Sequence, residues 1–340
     1  MKSVLVSSTR QWNCGDEFIW FGVRRLLQAA ASDLNFVLWN RHPDLRPRPR
    51  LYTRKLWKEF YAATHDNSFH LDPDGALDYV MFAGTPEWAQ GNNVDPVLEY
   101  IRRNGIRAAF IGVGAVRGIP EIPDLLASVL RENTDLIVTR DARAYQAVQE
   151  FPNSAEDVCP ALFSAPPERV RQRPGLKRLG IVIQGTRTQW QSIPVETEAK
   201  LRPQYEQLES MYDVEYIAHY VDDWVFASER GVADRTHYSS FSEDFVDIYD
   251  RFDAVVATRV HGAGMAASLG IPSLLVNHDG RGETGKGFLA PVLSQNDDIV
   301  AAVRAIDVPT ESARLLEHRS TSFDRHLARI REKCSASLLA

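Results

Sequence analysis

Short apolar runs alternate with amphipathic stretches along most of this 340-residue chain. The runs have the length of strands, and the stretches between them repeat apolar residues at helical spacing. This alternation is typical of a parallel sheet whose strands are joined by helical crossovers. The predicted strands of the first half are 3–7, 35–39, 79–83, 108–113 and 136–139. The predicted helices are 16–31 with Asp16 as its N-cap, one around 97–101, and 142–149.

The pattern stops at the proline-rich, charged stretch 164–177 and then begins again. Strands are predicted at 179–183, 214–218, 255–257 and 273–276, with helices at 195–211, from about 243, and at 263–269. Because single cores rarely grow beyond about 250–300 residues, we expect two domains. The prediction is an α/β protein with two doubly wound Rossmann-like domains facing a cleft: residues 1–165, a linker at 166–177, and residues 178–310. Residues 311–340 are predicted to form a helix that packs on the surface or back onto the first domain.

Composition narrows the function classes. The net charge of −6 argues against a general nucleic-acid binder, which needs a basic excess. The arginine- and proline-rich stretch 41–50 is expected to be a solvated loop, or else a basic rim for an anionic acceptor or a lipid headgroup. The three scattered cysteines indicate neither a disulfide framework nor a zinc site. No signal peptide or membrane span is expected, so a cytoplasmic location is predicted.

The stretch 255–276 places an arginine and a histidine between a buried strand and a small-residue helix. Open α/β sheets bind ligands at such strand ends, and a helix N-terminus favours an anion there. Since a strand end is a poor place to bury Arg259 or His261, both are predicted to be functional. Arg140 also follows a strand. It is expected either to pair with Asp141 or Asp157 or to point into the cleft toward Arg259.

Other motifs are weaker. The glycine-rich stretch 280–287 has the spacing of a phosphate-binding P-loop but lacks its Ser or Thr, so only Lys286 is kept as an anion ligand. Glycine-rich turns at 13–18 and 112–118 follow strands and could border the same cleft. The stretches 65–72 and 219–223 contain histidine and aspartate without the compact spacing of a metal site, and no metal is predicted.

At this point the chain resembles the polysaccharide pyruvyltransferase family over most of its length. The resemblance rests on a turn into the first helix, two glycine-rich strand ends, an Arg-Asp step, a Cys-Pro segment, an Arg-x-His-Gly stretch with a downstream Gly-x-Pro, and a later lysine. In this sequence they are Asn13-x-Gly15-Asp16-Glu17, Gly84-Thr85-Pro86-Glu87, Gly112-Val113-Gly114, Thr139-Arg140-Asp141, 157–162, Arg259-Val260-His261-Gly262, Gly270-Ile271-Pro272 and Lys286. Many members have a run of glycines in place of 84–87.

The resemblance implies a GT-B-like fold and transfer of pyruvate from phosphoenolpyruvate to sugar hydroxyls as a ketal on a polysaccharide precursor. The donor residues it implies are Arg140, from the first domain, and Arg259, His261, Gly262 and Lys286, from the second, which is the predicted donor side. The acceptor or cleft-lining residues it implies, on the first-domain side, are Asn13, Gly15, Asp16, Glu17, Gly84, Thr85, Glu87, Gly112 and Gly114. His261 would protonate the methylene carbon, the arginines would stabilise the departing phosphate, and Asp16 or Glu17 could activate the hydroxyl.

The implied partners are phosphoenolpyruvate and a nucleotide- or lipid-linked saccharide, with membrane contact only through the acceptor and with no cofactor. Two alternatives remain open at this stage. One is a nucleotide-sugar glycosyltransferase, since the same cleft would bind a diphosphate. The other is a catalytically silent relative that binds glycans.

Overall fold

The computed structural model describes residues 1–8, 13–40, 77–86, 88, 94–115, 118–187 and 192–339. The predicted basic loop at 41–50, the histidine stretch at 65–72 and Glu87 lie outside these residues. Within them the α/β prediction is confirmed, because the chain forms two six-stranded sheets whose strand pairs are all parallel.

The first sheet has the order β2-β1-β3-β4-β5-β6. Its strands are β1 Lys2–Ser8, β2 Leu34–Asn40, β3 Tyr79–Ala83, β4 Arg107–Val113, β5 Thr134–Thr139 and β6 Ser154–Glu156. Both faces are covered, so strand residues alternate between two apolar clusters. Val4 and Val6 belong to one cluster and Leu5 to the other. This explains why the strands are continuous apolar runs rather than alternating ones.

The second sheet has the order β12-β11-β10-β7-β8-β9. Its strands are β7 Arg178–Ile183, β8 Asp213–Ala218, β9 Thr236–His237, β10 Ala254–Ala257, β11 Ser273–Val276 and β12 Val292–Leu293. The sequence pattern predicted its four central strands and missed the two short ones at the edges, because two residues carry no periodic signal.

The described residues form eleven α-helices. They are α1 Cys14–Ala30, α2 Asp95–Asn104, α3 Asp124–Glu132, α4 Ala142–Val148, α5 Val195–Glu209, α6 Val221–Glu229, α7 Phe245–Asp250, α8 Val260–Ser268, α9 Gly282–Lys286, α10 Ile299–Arg304 and α11 Val308–Lys333. The short 3₁₀ turns include Pro160–Phe163 and Pro167–Arg169. None of the helices in the described ranges is long and apolar enough to cross a membrane.

Two helices that border the site begin earlier than predicted. The prediction of Asp16 as the N-cap is wrong, because the carbonyl of Asn13 accepts from the amides of Asp16 and Glu17 and the helix already begins at Cys14. Helix α8 begins at Val260 rather than 263, with Arg259 as its N-cap residue. Glycines in both first turns carry no apolar periodicity, so the pattern could not mark these starts.

The last helix, α11, packs back against the first sheet's helices. Arg325 and Arg329 both pair with the buried carboxylate of Asp157, and Arg331 donates to the carbonyl of Ala29 in α1. A single apolar cluster runs from the first sheet through α1 and Pro160–Phe163 into α8 of the second half. This core fixes α1 and α8 beside each other, which positions the site described next.

Candidate active site

The predicted cleft residues lie where three elements meet. Helices α1 and α8 begin there, and Arg140 follows β5. Nη1 of Arg140 lies 3.4 Å from Nε2 of His261, so the two halves of the chain contact each other through this pair. Among the described residues, neither Asp141 nor Asp157 pairs with Arg140. Asp141 caps α4 by accepting from the amide of Ala144, and Asp157 binds α11.

Two glycines allow these side chains to lie flat against the backbone. A Cβ at Gly15 would overlap Nδ1 of His261, and a Cβ at Gly114 would overlap Nε of Arg140. Both glycines were predicted site residues, and their role is close approach rather than a special backbone angle. The sequence Asn13-x-Gly15 and the end of β4 therefore shape the cleft around the arginine–histidine pair.

The surroundings of His261 favour a neutral imidazole. Burial, followed by the positive charges of Arg140 and Arg281, holds its pKa well below the ordinary value. A guanidinium has only donors, so Nε2 of His261 accepts from Arg140 and the ring proton lies on Nδ1. The low pKa bears on the predicted acid role of His261, because an acid must carry a proton before it can donate it.

Arg259 is held very differently from the prediction. It is 4% exposed, and its Nε and Nη2 donate to the carboxylate of Asp223 at 3.0 and 2.8 Å. The ring of Tyr220 covers its face at 4.2 Å. The expectation that a strand end cannot bury this arginine is wrong, because a fully buried carboxylate from α6 compensates its charge. Only Nη1 has no hydrogen-bond partner in the part of the chain that the structure describes.

Asp223 organises this part of the site, although no sequence motif distinguishes it. Besides Arg259 it accepts from the backbone amides of Gly185 and Tyr220. The hydroxyl of Tyr220 donates to Oδ1 of Asn13, whose amide donates to Asp16. His219, from the same candidate metal stretch, lies 2.7 Å from the hydroxyl of Tyr249. The only available signal was an aspartate in the first turn of a helix, which is too common to identify a site.

The predicted cation Lys286 is the exposed last residue of α9, and no described residue forms an ion pair with it. Within the same glycine-rich stretch, the charge that helps Arg140 to lower the pKa of His261 is that of Arg281, five residues earlier. Arg281 binds Asp279 through Nε and Nη2. Nη1 of Arg143 donates to the carbonyl of Gly280 at 3.0 Å, which anchors this turn to the first half of the chain.

The remaining first-half residues support the cleft. The hydroxyl of Thr85 accepts from the amide of Gly114 and donates to its carbonyl, both at 3.1 Å. Gly84 and Gly112 have positive φ, and a Cβ at Gly112 would meet Pro160 at 2.9 Å. Glu17 is 2% exposed and accepts from the hydroxyl of Ser242 at 2.5 Å. Gly262 packs on Tyr249 in the first turn of α8.

The sequence of this chain matches the model of one protein family. The family model for polysaccharide pyruvyl transferase matches residues 13–280, which include every site residue named above except Arg281 and Lys286. The chain belongs to the polysaccharide pyruvyl transferase family. No curated protein matches its sequence significantly.

Solved structures with similar folds are distant in sequence. The chain is similar to the S. aureus MnaA–UDP complex, with 11% identity, coverage of 98% and 96% of the two chains, and a TM-score of 0.53. It is also similar to Methanocaldococcus jannaschii UDP-GlcNAc 2-epimerase with UDP-GlcNAc and UDP, with 12% identity, 93% and 99% coverage and a TM-score of 0.51. A ugt transferase from Siraitia grosvenorii in complex with UDP gives 11% identity, full coverage and 0.51. These likenesses establish a GT-B-type fold.

Proposed function

We propose that this transferase moves the pyruvyl group of phosphoenolpyruvate onto two hydroxyls of a nucleotide- or lipid-linked saccharide in the cytoplasm, forming a ketal without a cofactor. The observation that carries the proposal is the Arg140–His261 pair. Arg140 has no carboxylate partner among the described residues, and it faces a histidine at two helix N-termini. Such a site favours a small, highly charged anion.

The chain's residues would divide the chemistry as follows. Arg140 and Nη1 of Arg259 would bind phosphate or carboxylate oxygens of phosphoenolpyruvate. The negative charge of the donor would oppose the effect of Arg140 and Arg281 and raise the pKa of His261. The resulting imidazolium would then protonate the methylene carbon. One sugar hydroxyl would add to the carbon that becomes cationic and give its proton to the neutral imidazole left by the first step. Inorganic phosphate would then leave, and the second hydroxyl would close the ring and give its proton to that phosphate.

This sequence of steps makes the proton donor dependent on the substrate. Because burial and the two arginines hold the pKa of His261 low, its ring would acquire a proton only beside a bound anion. The turnover number should therefore fall at alkaline pH with the pKa of the complex rather than with that of the unliganded site.

The test is phosphate release from phosphoenolpyruvate with panels of nucleotide-linked and lipid-linked sugars. We expect release that depends on an acceptor and falls roughly 10²–10⁴-fold in His261→Gln, while the affinity for phosphoenolpyruvate changes only a few fold. Calorimetry of the same variant supplies the affinity. Binding of a UDP-sugar without any dependence on phosphoenolpyruvate would replace this proposal with a nucleotide-sugar reaction.

A further inference from the structure

A second cationic cavity lies well away from the cleft. Its volume is about 350 Å³, and its lining includes Arg25, Gln28, Pro167, Arg319 and Ser320. Helix α1 contributes to both places, but Arg25 follows Cys14 by eleven residues, which is about 16 Å along a helix. None of the residues that line this cavity belongs to the arginine–histidine cleft.

Two guanidinium groups converge there because they share one short piece of backbone. Nε of Arg25 donates to the carbonyl of Ser164 at 3.2 Å, and Nη2 of Arg319 donates to the carbonyl of Ala165 at 3.1 Å. The two carbonyls are consecutive in the chain. Like charges from α1 and α11 are thus brought to one wall of the cavity.

Within the described ranges, no carboxylate lies within 4.0 Å of either guanidinium. Nε of Arg319 is buried and has no hydrogen-bond partner there. Burial, and secondarily the charge of Arg25, lowers the pKa of Arg319 to about 10. Glu168 is exposed and acts on Arg25 only at a distance. Two partly desolvated cations with no carboxylate in contact are less favourable than the same two cations joined by an anion.

The neighbouring cavity provides a comparison. It has about 450 Å³, and it shares Arg25 and Gln28 with the first one. Its lining also holds Glu168 and Glu243, and its Arg169 pairs with Asp247 at 2.6 Å and with Asp250 at 3.0 Å. Among the described residues, the larger cavity therefore has carboxylates in its lining, whereas the smaller one has two arginines and no carboxylate.

We propose that the cavity between α1, the segment after Pro160–Phe163 and α11 binds the phosphate group of a phosphate monoester or diester. Guanidinium groups match phosphate oxygens bidentately, and the amide of Gln28 and the hydroxyl of Ser320 line the same space. Pro167 and Phe323 supply apolar walls for the body of the ligand. Since the lining comes from three segments, a bound phosphate would link them.

The test uses the full chain carrying Arg140→Gln and His261→Gln, so that phosphate cannot be held by the cleft pair. Calorimetry with inorganic phosphate should show one saturable site. Adding Arg25→Gln or Arg319→Gln should weaken it at least tenfold, whereas Arg24→Gln, the exposed neighbour on α1, should leave it unchanged. Absence of saturable binding to phosphate and to the vesicles described next, or binding that survives loss of both arginines, would overturn the proposal.

Two further measurements keep the result clear. Without phosphate, Arg319→Gln should melt at the same temperature or higher, and it should lose the stabilisation that phosphate gives. A melting temperature lowered equally with and without phosphate would show that Arg319 only caps the carbonyl of Ala165, against the proposal.

Vesicles of phosphatidylcholine with and without phosphatidic acid identify the source of the phosphate group. Flotation that requires phosphatidic acid and both arginines indicates a lipid headgroup, and phosphate binding without flotation indicates a soluble ester.

Discussion

The two arginines of the cleft hold their charges in opposite ways. Arg259 is buried, bound through two nitrogens to Asp223 and covered by Tyr220. Arg140 is partly exposed, contacts the neutral His261 and has no described carboxylate beside it. The first arrangement stabilises the protein before any ligand arrives, whereas the second leaves a charge that a ligand can neutralise. The comparison separates an arginine whose charge the protein itself neutralises from one whose charge is left for a ligand, and it can be tested from both sides.

The largest effect should come from breaking the buried pair. Asp223→Asn leaves Arg259 buried without a counter-charge, and we expect the free energy of unfolding to fall by about 3–5 kcal/mol. Urea unfolding of the variant measures this directly. Asp234→Asn, at an exposed position, serves as the control and should change stability by less than about 0.5 kcal/mol. Equal losses in the two variants would show that the Arg259–Asp223 pair has no special weight.

Arg140→Gln should behave in the opposite manner. It removes a cation that no described carboxylate balances, so stability should stay the same or rise slightly. The specificity constant kcat/KM for phosphoenolpyruvate should fall roughly 10²–10³-fold, the usual effect of losing one well-placed donor. Initial rates beside urea unfolding, with the exposed Arg102→Gln as control, decide the matter. A variant that unfolds easily but turns over normally would reverse the assignment of the two arginines.

The glycine beside His261 offers a finer test of the same contrast. In Gly15→Ala the added methyl would displace the imidazole, at an overpacking penalty of about 1–3 kcal/mol, partly offset because alanine favours a helix. We expect a drop of about tenfold in turnover with a smaller loss of stability. Gly175→Ala meets no atom within 4 Å and is the matched control. Unchanged turnover would mean that the position of His261 is not critical.

Lowering the pH should reduce the free energy of unfolding through the buried histidines. The pKa of His261 is held low by burial and nearby arginines, and burial lowers that of His326 to about 4. As the pH falls, the histidines of the unfolded chain take up protons before those of the folded protein do. Their contribution to the free energy of unfolding is therefore complete above about pH 6.5. Below that pH it is lost at about 1.4 kcal/mol per pH unit for each histidine, until the pH reaches the pKa of that histidine in the folded protein. Urea unfolding from about pH 7 to about pH 5 measures the slope. His326→Gln should reduce the slope by about one proton. An unaltered slope would indicate that His326 is not buried as a neutral ring.

The smallest effect is expected at Lys286. This exposed residue ends α9, so Lys286→Gln should change kcat/KM by less than about threefold. Arg281→Gln, in the same turn, should lower it by about tenfold because Arg281 contributes to the positive potential at His261. Initial rates of the two variants measure both changes in kcat/KM. A larger loss in the lysine variant would restore the residue that the sequence pattern favoured.

The parts of the protein that the sequence predicted are those with a local signal. The central strands of both sheets are buried apolar runs, and the small residues after 259 indicated a helix. The structure brings Arg140, His261 and Gly15 together because helices α1 and α8 begin beside the end of β5. The binding partner of Arg259 could not be foreseen, since Asp223 lies 36 residues away on another helix. The spacing indicated Lys286 and not Arg281, since the pattern of a glycine-rich turn does not say which side chain lies near His261.

The return of α11 to the first half has a mechanical consequence. The chain crosses between the two halves twice, and hydrogen bonds join the two crossings. Gln172 donates to the carbonyl of Pro309, the amide of Arg173 donates to the hydroxyl of Ser312, and that hydroxyl donates to the carbonyl of Gly270. Each crossing therefore restrains the other, and both are tied to the turn that follows α8.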